Sequence, residues 1–258
     1  MDRAKPGWLI RVLNGLGGHE LAVLVGFAGI AAGVLAFVVL ADDVRAGSMQ
    51  SFDRTLLVAM RRPPDYVPIG PPAFQEAVRD ITALGGVVVL GLVTVVTAGF
   101  LVLDGKRRMA LLVLASAGGG LVMSTLLKDV FHRPRPQIVP HAVYASGESF
   151  PSGHSMMSAA IYLTLGALLA RAHERKRLKA YFLLLAGLLS GMIGVSRVYL
   201  GVHWPTDVLA GWTAGGVWAI LCWLLARSLQ ASRTVERENE HAVEGTEPAT
   251  IARVDQDK

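Results

Sequence analysis

Six stretches without Asp, Glu, Lys, Arg or His constrain this chain most: Leu21–Ala41, Ile81–Leu103, Met109–Leu127, Ser155–Ala170, Ala180–Ser196 and Val208–Ala226. They run from 16 to 23 residues. A helix needs roughly 20 mostly apolar residues to cross the hydrocarbon core of a bilayer. Buried helices of water-soluble proteins keep a polar stripe, and these stretches have none. The composition agrees: 17% of residues are charged, against about 25% in an ordinary soluble domain. The expected fold class is therefore all-α, a polytopic membrane protein built as a six-transmembrane-helix bundle. Carrying the two shortest stretches past their charged ends gives spans at about 21–41, 81–103, 109–127, 154–171, 180–196 and 206–227. The membrane domain is expected over 1–232 with its first span retained, because that apolar stretch is longer than a signal peptide needs. Residues 233–258 mix charges with few apolar side chains and are expected to form a disordered cytoplasmic tail.

The net charge of +5 does not point to nucleic acid, because the basic residues sit in short clusters between apolar runs. Arg3, Lys5 and Arg11, then Lys106 to Arg108, then Arg171, Arg175, Lys176, Arg177 and Lys179 fall on one side in short connectors. The positive-inside rule places that side in the cytoplasm and the first, third and fifth connectors outside. The first of these, Asp42–Asp80, carries five prolines and an amphipathic piece near Phe52–Met60. It reads as an external loop with one helix lying at the interface. The lone cysteine, Cys222, excludes an intramolecular disulfide and a cysteine metal cluster. Small residues at spacings of four, such as Gly29 and Gly33, Gly187 and Gly191, and Gly211 and Gly215, either bring helices close together or reflect a glycine-tolerant membrane composition.

Ionisable residues at the ends of spans are costly there and mark function. Three clusters stand out: Lys128 to Pro136 after the third span, Pro151-Ser152-Gly153-His154 opening the fourth, and Ser196-Arg197 with His203 to Asp207 between the fifth and sixth. All fall on the external side. Lys128, Arg135 and Arg197 are three cations suited to a phosphate, Arg by its planar fork and Lys as a point charge. Ser152 can cap the fourth helix and Gly153 allows close backbone approach, so that helix start can aim N–H groups at an anion. Pro205 suits a first helical turn. Asp207, four residues after His203, can orient one ring nitrogen and leave the other to attack. His203 then reads as a nucleophile and His154 as the proton donor to a leaving oxygen. The pattern suggests phosphoryl transfer through a phosphohistidine, with fixed cations in place of a metal ion. No cofactor and no metal ligand set is expected.

The three-part pattern Lys128…Arg135-Pro136, Pro151–His154, Ser196-Arg197…His203…Asp207 resembles the type-2 phosphatidic acid phosphatase (PAP2) superfamily over roughly 128–207, with every specified position filled. The resemblance implies an integral membrane, metal-independent lipid phosphatase acting at the outer membrane face. It implies that His203 forms the phosphohistidine, His154 donates the proton and Asp207 orients the nucleophile. Lys128, Arg135, Ser152, Gly153 and Arg197 would hold the phosphate. Arg133-Pro134 duplicates Arg135-Pro136; the spacing selects Arg135, leaving Arg133 and His132 as expected headgroup contacts. By analogy with short bacterial-looking members, the first substrate is undecaprenyl diphosphate. Phosphatidylglycerophosphate, phosphatidate and lipid A phosphates are the alternatives. The vanadium haloperoxidases share the anion site but are soluble. A non-catalytic lipid-headgroup binding or transport protein would need neither His154 nor the His203–Asp207 pair. The expected partners are the lipid and the membrane, the expected location a bacterial cytoplasmic (inner) membrane with both termini inside.

Overall fold

The computed structural model describes residues 18–244, with side chains from 20 to 228. In chain order the elements are α1 (Gly18–Ala46), α2 (Gln50–Ala59), β1 (Arg61–Arg62), β2 (Val67–Pro68), α3 (Pro72–Ala83) and α4 (Val87–Leu103). There follow α5 (Arg107–Phe131), α6 (Gly153–Arg171), α7 (Lys176–Tyr199) and α8 (Pro205–Glu244). The two strands form a small antiparallel ladder pairing Arg61 with Pro68 and Arg62 with Val67. Among the described residues, five helices are long and apolar enough to cross a membrane; α3 and α4, bent by 48° at their junction, supply a sixth crossing when taken as one span. The chain is an all-helical membrane bundle.

The second span departs from the expected straight helix over 81–103. The chain breaks after Ala83, and α4 starts at Gly86 as its N-cap with extended backbone. The amides of Gly85 and Gly86 turn back onto the carbonyls of Thr82 and Ala83. Two adjacent glycines lower the cost of leaving the helix here. Residues before the break are not loop, as expected, but α3, an amphipathic helix opened by Pro72 and burying Val78 and Thr82 one turn apart. The amphipathic piece at 52–60 is also helical, as α2. It buries Asp53 and Leu57 and packs against α8.

The most enclosed element is α6, flanked by α7 and α8 along its length; Met156, Ala159, Ala160 and Ile161 are all buried. The close approach of α8 is made by Gly211 and Gly215. A Cβ on Gly215 would lie 2.3 Å from the Met156 carbonyl oxygen, and one on Gly211 2.7 Å from that of Ser152. Gly33 packs likewise on Val217, whereas Gly187 and Gly191 meet nothing within 4 Å. Small-residue spacing therefore marks true contacts in two helices and only composition in the third. Apolar side chains of α1, α4 and α5, among them Val25, Phe27, Val88, Leu92, Val96 and Val122, stay exposed. Such an apolar exterior matches hydrocarbon rather than water.

The helix carrying the last span runs to Glu244, past the expected boundary at 232; between Val217 and Glu244 no Gly or Pro interrupts it. Residues 245–258 of the expected tail and the N-terminal basic residues, on which part of the topology reading rests, lie outside the described residues.

Candidate active site

At one end of the bundle the three sequence clusters meet around a cavity of about 380 Å³. Lys128 comes from the last turn of α5, Gly153 and His154 from the first turn of α6, and Arg197 from the last turn of α7. Arg135 comes from the α5–α6 connector and His203 from the residues before α8; all six line the cavity. Its opposite wall is apolar, formed by Val87 and Leu90 of α4, Leu121 of α5 and Met157 of α6.

Ser152 caps α6, accepting at 3.4 Å from the Ser155 amide and at 2.9 Å from the Ser155 hydroxyl. Its own amide donates to the Asp207 carbonyl at 2.9 Å, tying the second cluster to the third. Gly153 leaves room beside it: a Cβ there would stand 3.7 Å from Lys128 Cε and 3.3 Å from Ser124 Oγ. Lys128 Nζ donates to the Glu148 carbonyl at 3.0 Å.

Pro205 opens α8, and Asp207 reaches back so that Oδ2 accepts from the Trp204 amide at 2.8 Å. That closes half of a capping box. The same oxygen accepts from the Ser149 hydroxyl and stands 3.5 Å from His203 Nδ1. This separation is longer than a formed hydrogen bond, and Nδ1 has no closer partner. Asp207 therefore acts on the ring through its charge at short range. On the other edge of the ring, Arg135 Nη1 lies 3.1 Å from Nε2. A guanidinium has only donors, so Nε2 presents its lone pair and the ring proton sits on Nδ1, facing Asp207. His203 is 1% exposed. Burial outweighs Asp207 and, with Arg197 and Arg135 nearby, lowers its pKa to about 4. The ring is neutral near pH 7, as a nucleophile must be.

The cations differ in what they already hold. Arg135 spends its fork on the carbonyls of Val202 at 2.8 Å, Ser146 at 2.9 Å, Gly147 at 3.0 Å and Glu148 at 3.3 Å, besides His203. Burial lowers its pKa too. Arg197, 5% exposed, donates through Nη1 to Thr82 Oγ1 at 3.0 Å, while its buried Nε has no partner. An unpaired buried guanidinium N–H is costly, and an anion in the cavity would satisfy it. His154 faces the broken span: a Cβ on Gly85 would stand 3.4 Å from its Cδ2 and one on Gly86 3.9 Å from its Nε2. The Gly85-Gly86 break thus lies against the histidine ring, though the tightest neighbour of Gly85 is Ile193, 2.4 Å from a Cβ there. Among the described residues, no group of three His, Cys, Asp or Glu is placed to hold a metal ion.

Two of the expected headgroup contacts lie outside the cavity lining. Arg133 turns to the scaffold: Nη1 donates to Asp207 Oδ1 at 2.5 Å and Thr206 Oγ1 at 2.8 Å, and Nη2 to Asp53 Oδ2 at 2.6 Å. The duplicated Arg-Pro has one arginine lining the cavity and one behind its aspartate. His132 lies outside the cavity lining as an exposed residue with left-handed backbone, its Nδ1 3.8 Å from Glu148 Oε1. Residues that sequence reasoning missed are Asp53, Thr82, Ser149 and Thr206, and the Gly85-Gly86 break. One signal was available: Asp53 and Leu57 share a face of α2 at helical spacing, so an acid sits on the buried stripe.

This geometry defines a class: a membrane-embedded helical bundle presenting two imidazoles and fixed cations to an anion. Comparison with known proteins places it further. Residues 109–230 match the PAP2 superfamily. Phosphatidylglycerophosphatase B of Bacillus subtilis is 34% identical over 183 residues, covering 70% of this chain and 86% of that protein. An undecaprenyl-diphosphatase of Sulfolobus acidocaldarius is 28% identical over 145 residues, covering 54% of this chain and 63% of that protein. The crystal structure of a transmembrane PAP2-type phosphatidylglycerolphosphate phosphatase from Bacillus subtilis superposes with a TM-score of 0.70 at 30% identity, covering 77% of this chain and 96% of that one. The chain belongs to the PAP2 superfamily and is an integral membrane lipid phosphatase.

Proposed function

We propose that the protein dephosphorylates phosphatidylglycerophosphate at the outer face of a bacterial cytoplasmic membrane, through a phosphohistidine on His203 and without a metal ion. The observation that carries the chemistry is the Arg135 contact, which makes Nε2 of a neutral His203 the acceptor at the cavity. As substrate enters, the Arg135 N–H passes from Nε2 to the phosphate. Nε2 attacks phosphorus as the bond to the glycerol oxygen breaks, and His154, present as the imidazolium, gives that oxygen a proton. The ring then carries a phosphoryl group on Nε2 and a proton on Nδ1, and Asp207 offsets its positive charge. His154 takes a proton from water, whose oxygen attacks phosphorus. The N–P bond breaks, releasing inorganic phosphate and restoring both histidines. Lys128, Arg197 and Arg135 with the α6 N-terminus neutralise the equatorial oxygens, where phosphoryl transfer concentrates charge. The Lys and Arg distribution supports an external site with cytoplasmic termini.

For the substrate, the relatives favour the alternative over the first expectation. Phosphatidylglycerophosphatase B aligns over most of both chains, the undecaprenyl-diphosphatase over less of each. His132, beside Glu148 at the surface, keeps a proposed role in headgroup contact. A panel of phosphatidylglycerophosphate, phosphatidate and undecaprenyl diphosphate, assayed for phosphate release in detergent with EDTA, tests the reading. The highest kcat/KM is expected for phosphatidylglycerophosphate and is unchanged by the chelator. A preference of tenfold or more for the diphosphate would reverse the substrate assignment, and a requirement for magnesium would remove the metal-free mechanism.

A further inference from the structure

The helix α2 lies outside all three sequence clusters and outside the residues matched by the family, yet it sends one carboxylate into the scaffold behind the nucleophile. Asp53 is fully buried. Its Oδ1 accepts from the Thr206 amide at 2.9 Å, and its Oδ2 from the Thr206 hydroxyl at 2.7 Å and from Arg133 at 2.6 Å. Thr206 is the second residue of α8, so a residue some 150 positions earlier caps that helix. An N-terminal amide without an intrahelical partner gains an acceptor, and a negative charge meets the positive end of the helix. Arg133 bridges Asp53 to Asp207, and its guanidinium also lies 5.6 Å from the Trp204 ring.

The charges form a line: Asp53 (negative), Arg133 (positive), Asp207 (negative), then the His203 ring. Arg133 alone beside Asp207 would cancel the charge that orients the ring and stabilises it once phosphorylated. With Asp53 on its far side, the guanidinium is shared between two carboxylates and Asp207 keeps more of its field toward His203. A buried cation held at both ends by charge-assisted bonds is also fixed in place. Because α8 begins two residues after His203, the cap and the bridge set the ring position together.

We propose that Asp53 is a positioning residue for the phosphatase reaction, acting through Arg133 and the start of α8 to hold Asp207 and His203 in their reacting arrangement. This rests on His203 being the nucleophile. The role differs from that of a phosphate ligand, since Asp53 does not line the cavity. It belongs to the step in which His203 attacks and should leave ground-state phosphate binding nearly untouched.

The test compares wild type, Asp53→Asn, Asp53→Glu, Arg133→Gln and the Asp53→Asn/Arg133→Gln double variant, all full-length in detergent. Phosphatidylglycerol formation from phosphatidylglycerophosphate is followed, with competitive inhibition by added inorganic phosphate as a separate measure of the anion site. Asp53→Asn is expected to lower kcat at least about tenfold, on the scale of small misplacements of reacting groups. KM and the inorganic-phosphate inhibition constant stay within about twofold of wild type. Asp53→Glu, which keeps the charge, recovers part of kcat. The double variant is no slower than Arg133→Gln alone, because the two residues act in one chain of contacts. Wild-type kcat in Asp53→Asn, or losses that multiply in the double variant, overturns the proposal. If Asp53→Asn does not fold, Arg133→Gln reads the same link from its other end, and wild-type kcat there overturns it equally. His203→Ala that retains turnover would remove the nucleophile reading and this inference with it, whereas wild-type kcat in Asp53→Asn beside a dead His203→Ala removes only the role of Asp53.

Discussion

The middle of α6 and its N-terminal end sit in the same bundle and bury polar groups in opposite ways. Beyond the midpoint, Ser116 and Thr164 meet hydroxyl to hydroxyl at 3.1 Å, and the Trp218 indole donates to the Ser116 carbonyl at 2.9 Å. Those contacts join α5, α6 and α8 by neutral, mutually satisfied bonds, the usual polar attachment between helices in lipid. At its N-terminal end, Lys128, Arg135, Arg197, His154 and His203 crowd one cavity, and Arg197 Nε and His203 Nδ1 are left without partners. Stability alone would not select that arrangement, because buried charge and unpaired donors are costly. The difference shows which region was shaped to receive something from outside the protein. It also shows where the cost is offset: Asp53, Arg133, Asp207, Thr206 and Ser149 form a compact network directly behind the cavity.

The comparison can be broken most severely at His203. His203→Ala is expected to lower kcat by at least about 10⁴-fold, as loss of a covalent nucleophile does, with the purified protein still folded and monodisperse. Single-turnover quenching should trap phosphoprotein in wild type and none in the variant.

Gly85→Ala comes next. A Cβ there would lie 2.4 Å from Ile193 Cγ2, so the break must move off α7, and His154, whose Cδ2 lies 3.4 Å from the same Cβ position, is expected to move with it. The expected loss is on the order of tenfold to a hundredfold in kcat. Gly91→Ala on the same span, where nothing lies within 4 Å, is the control and should turn over like wild type.

Acid sharpens the contrast by a smaller amount. An ordinary imidazole titrates near 6.5, but burial holds His203 at about 4. The reactive neutral ring therefore persists as pH falls through 6, and kcat/KM should lose its nucleophile only as pH passes about 4. This holds after correction for the substrate phosphate, which itself ionises near pH 6. A limb at 6.5 belonging to the enzyme would contradict the buried environment. The linked stability runs the same way: the unfolded chain takes up this proton near 6.5 and the folded chain not until about 4. The contribution of His203 to folding is thus intact above about 6.5 and declines as pH falls from there toward 4.

The smallest effect is expected in the middle of α6. Ser116→Ala removes two neutral interhelical contacts, to Thr164 Oγ1 and the Ala160 carbonyl, and should cost about 1 kcal/mol of stability, read as a slight drop in Tm in detergent, with kcat unchanged. A loss of turnover there would mean that the two regions are coupled.

Run length and residue type in the sequence already determined the helical membrane class and the approximate position of each span, and they singled out eight expected site residues, six of which line one cavity. Lipid tolerates only chains that satisfy their own backbone bonds, so apolar length translates almost directly into helix. Charged residues at span ends are too costly to be incidental. The break at Gly85-Gly86 was not legible, because two glycines in an apolar run read equally as a tolerated helix interior, and what demands small residues there is Ile193 of α7 and the Ala83 carbonyl, 2.4 and 3.1 Å from the Cβ positions. The role of Arg133 was equally hidden. Two Arg-Pro pairs stand side by side in sequence, and what separates them is that one guanidinium meets Asp53 and Asp207 while the other turns to the cavity. Asp53 itself lies some 80 residues before Arg133 and 150 before Thr206, and its meaning comes from partners that only packing brings within hydrogen-bond reach. Local pattern fixes what a segment is; which charge stands beside which is decided when the helices close on one another, since electrostatic and hydrogen-bond energies depend on distances that no linear spacing records.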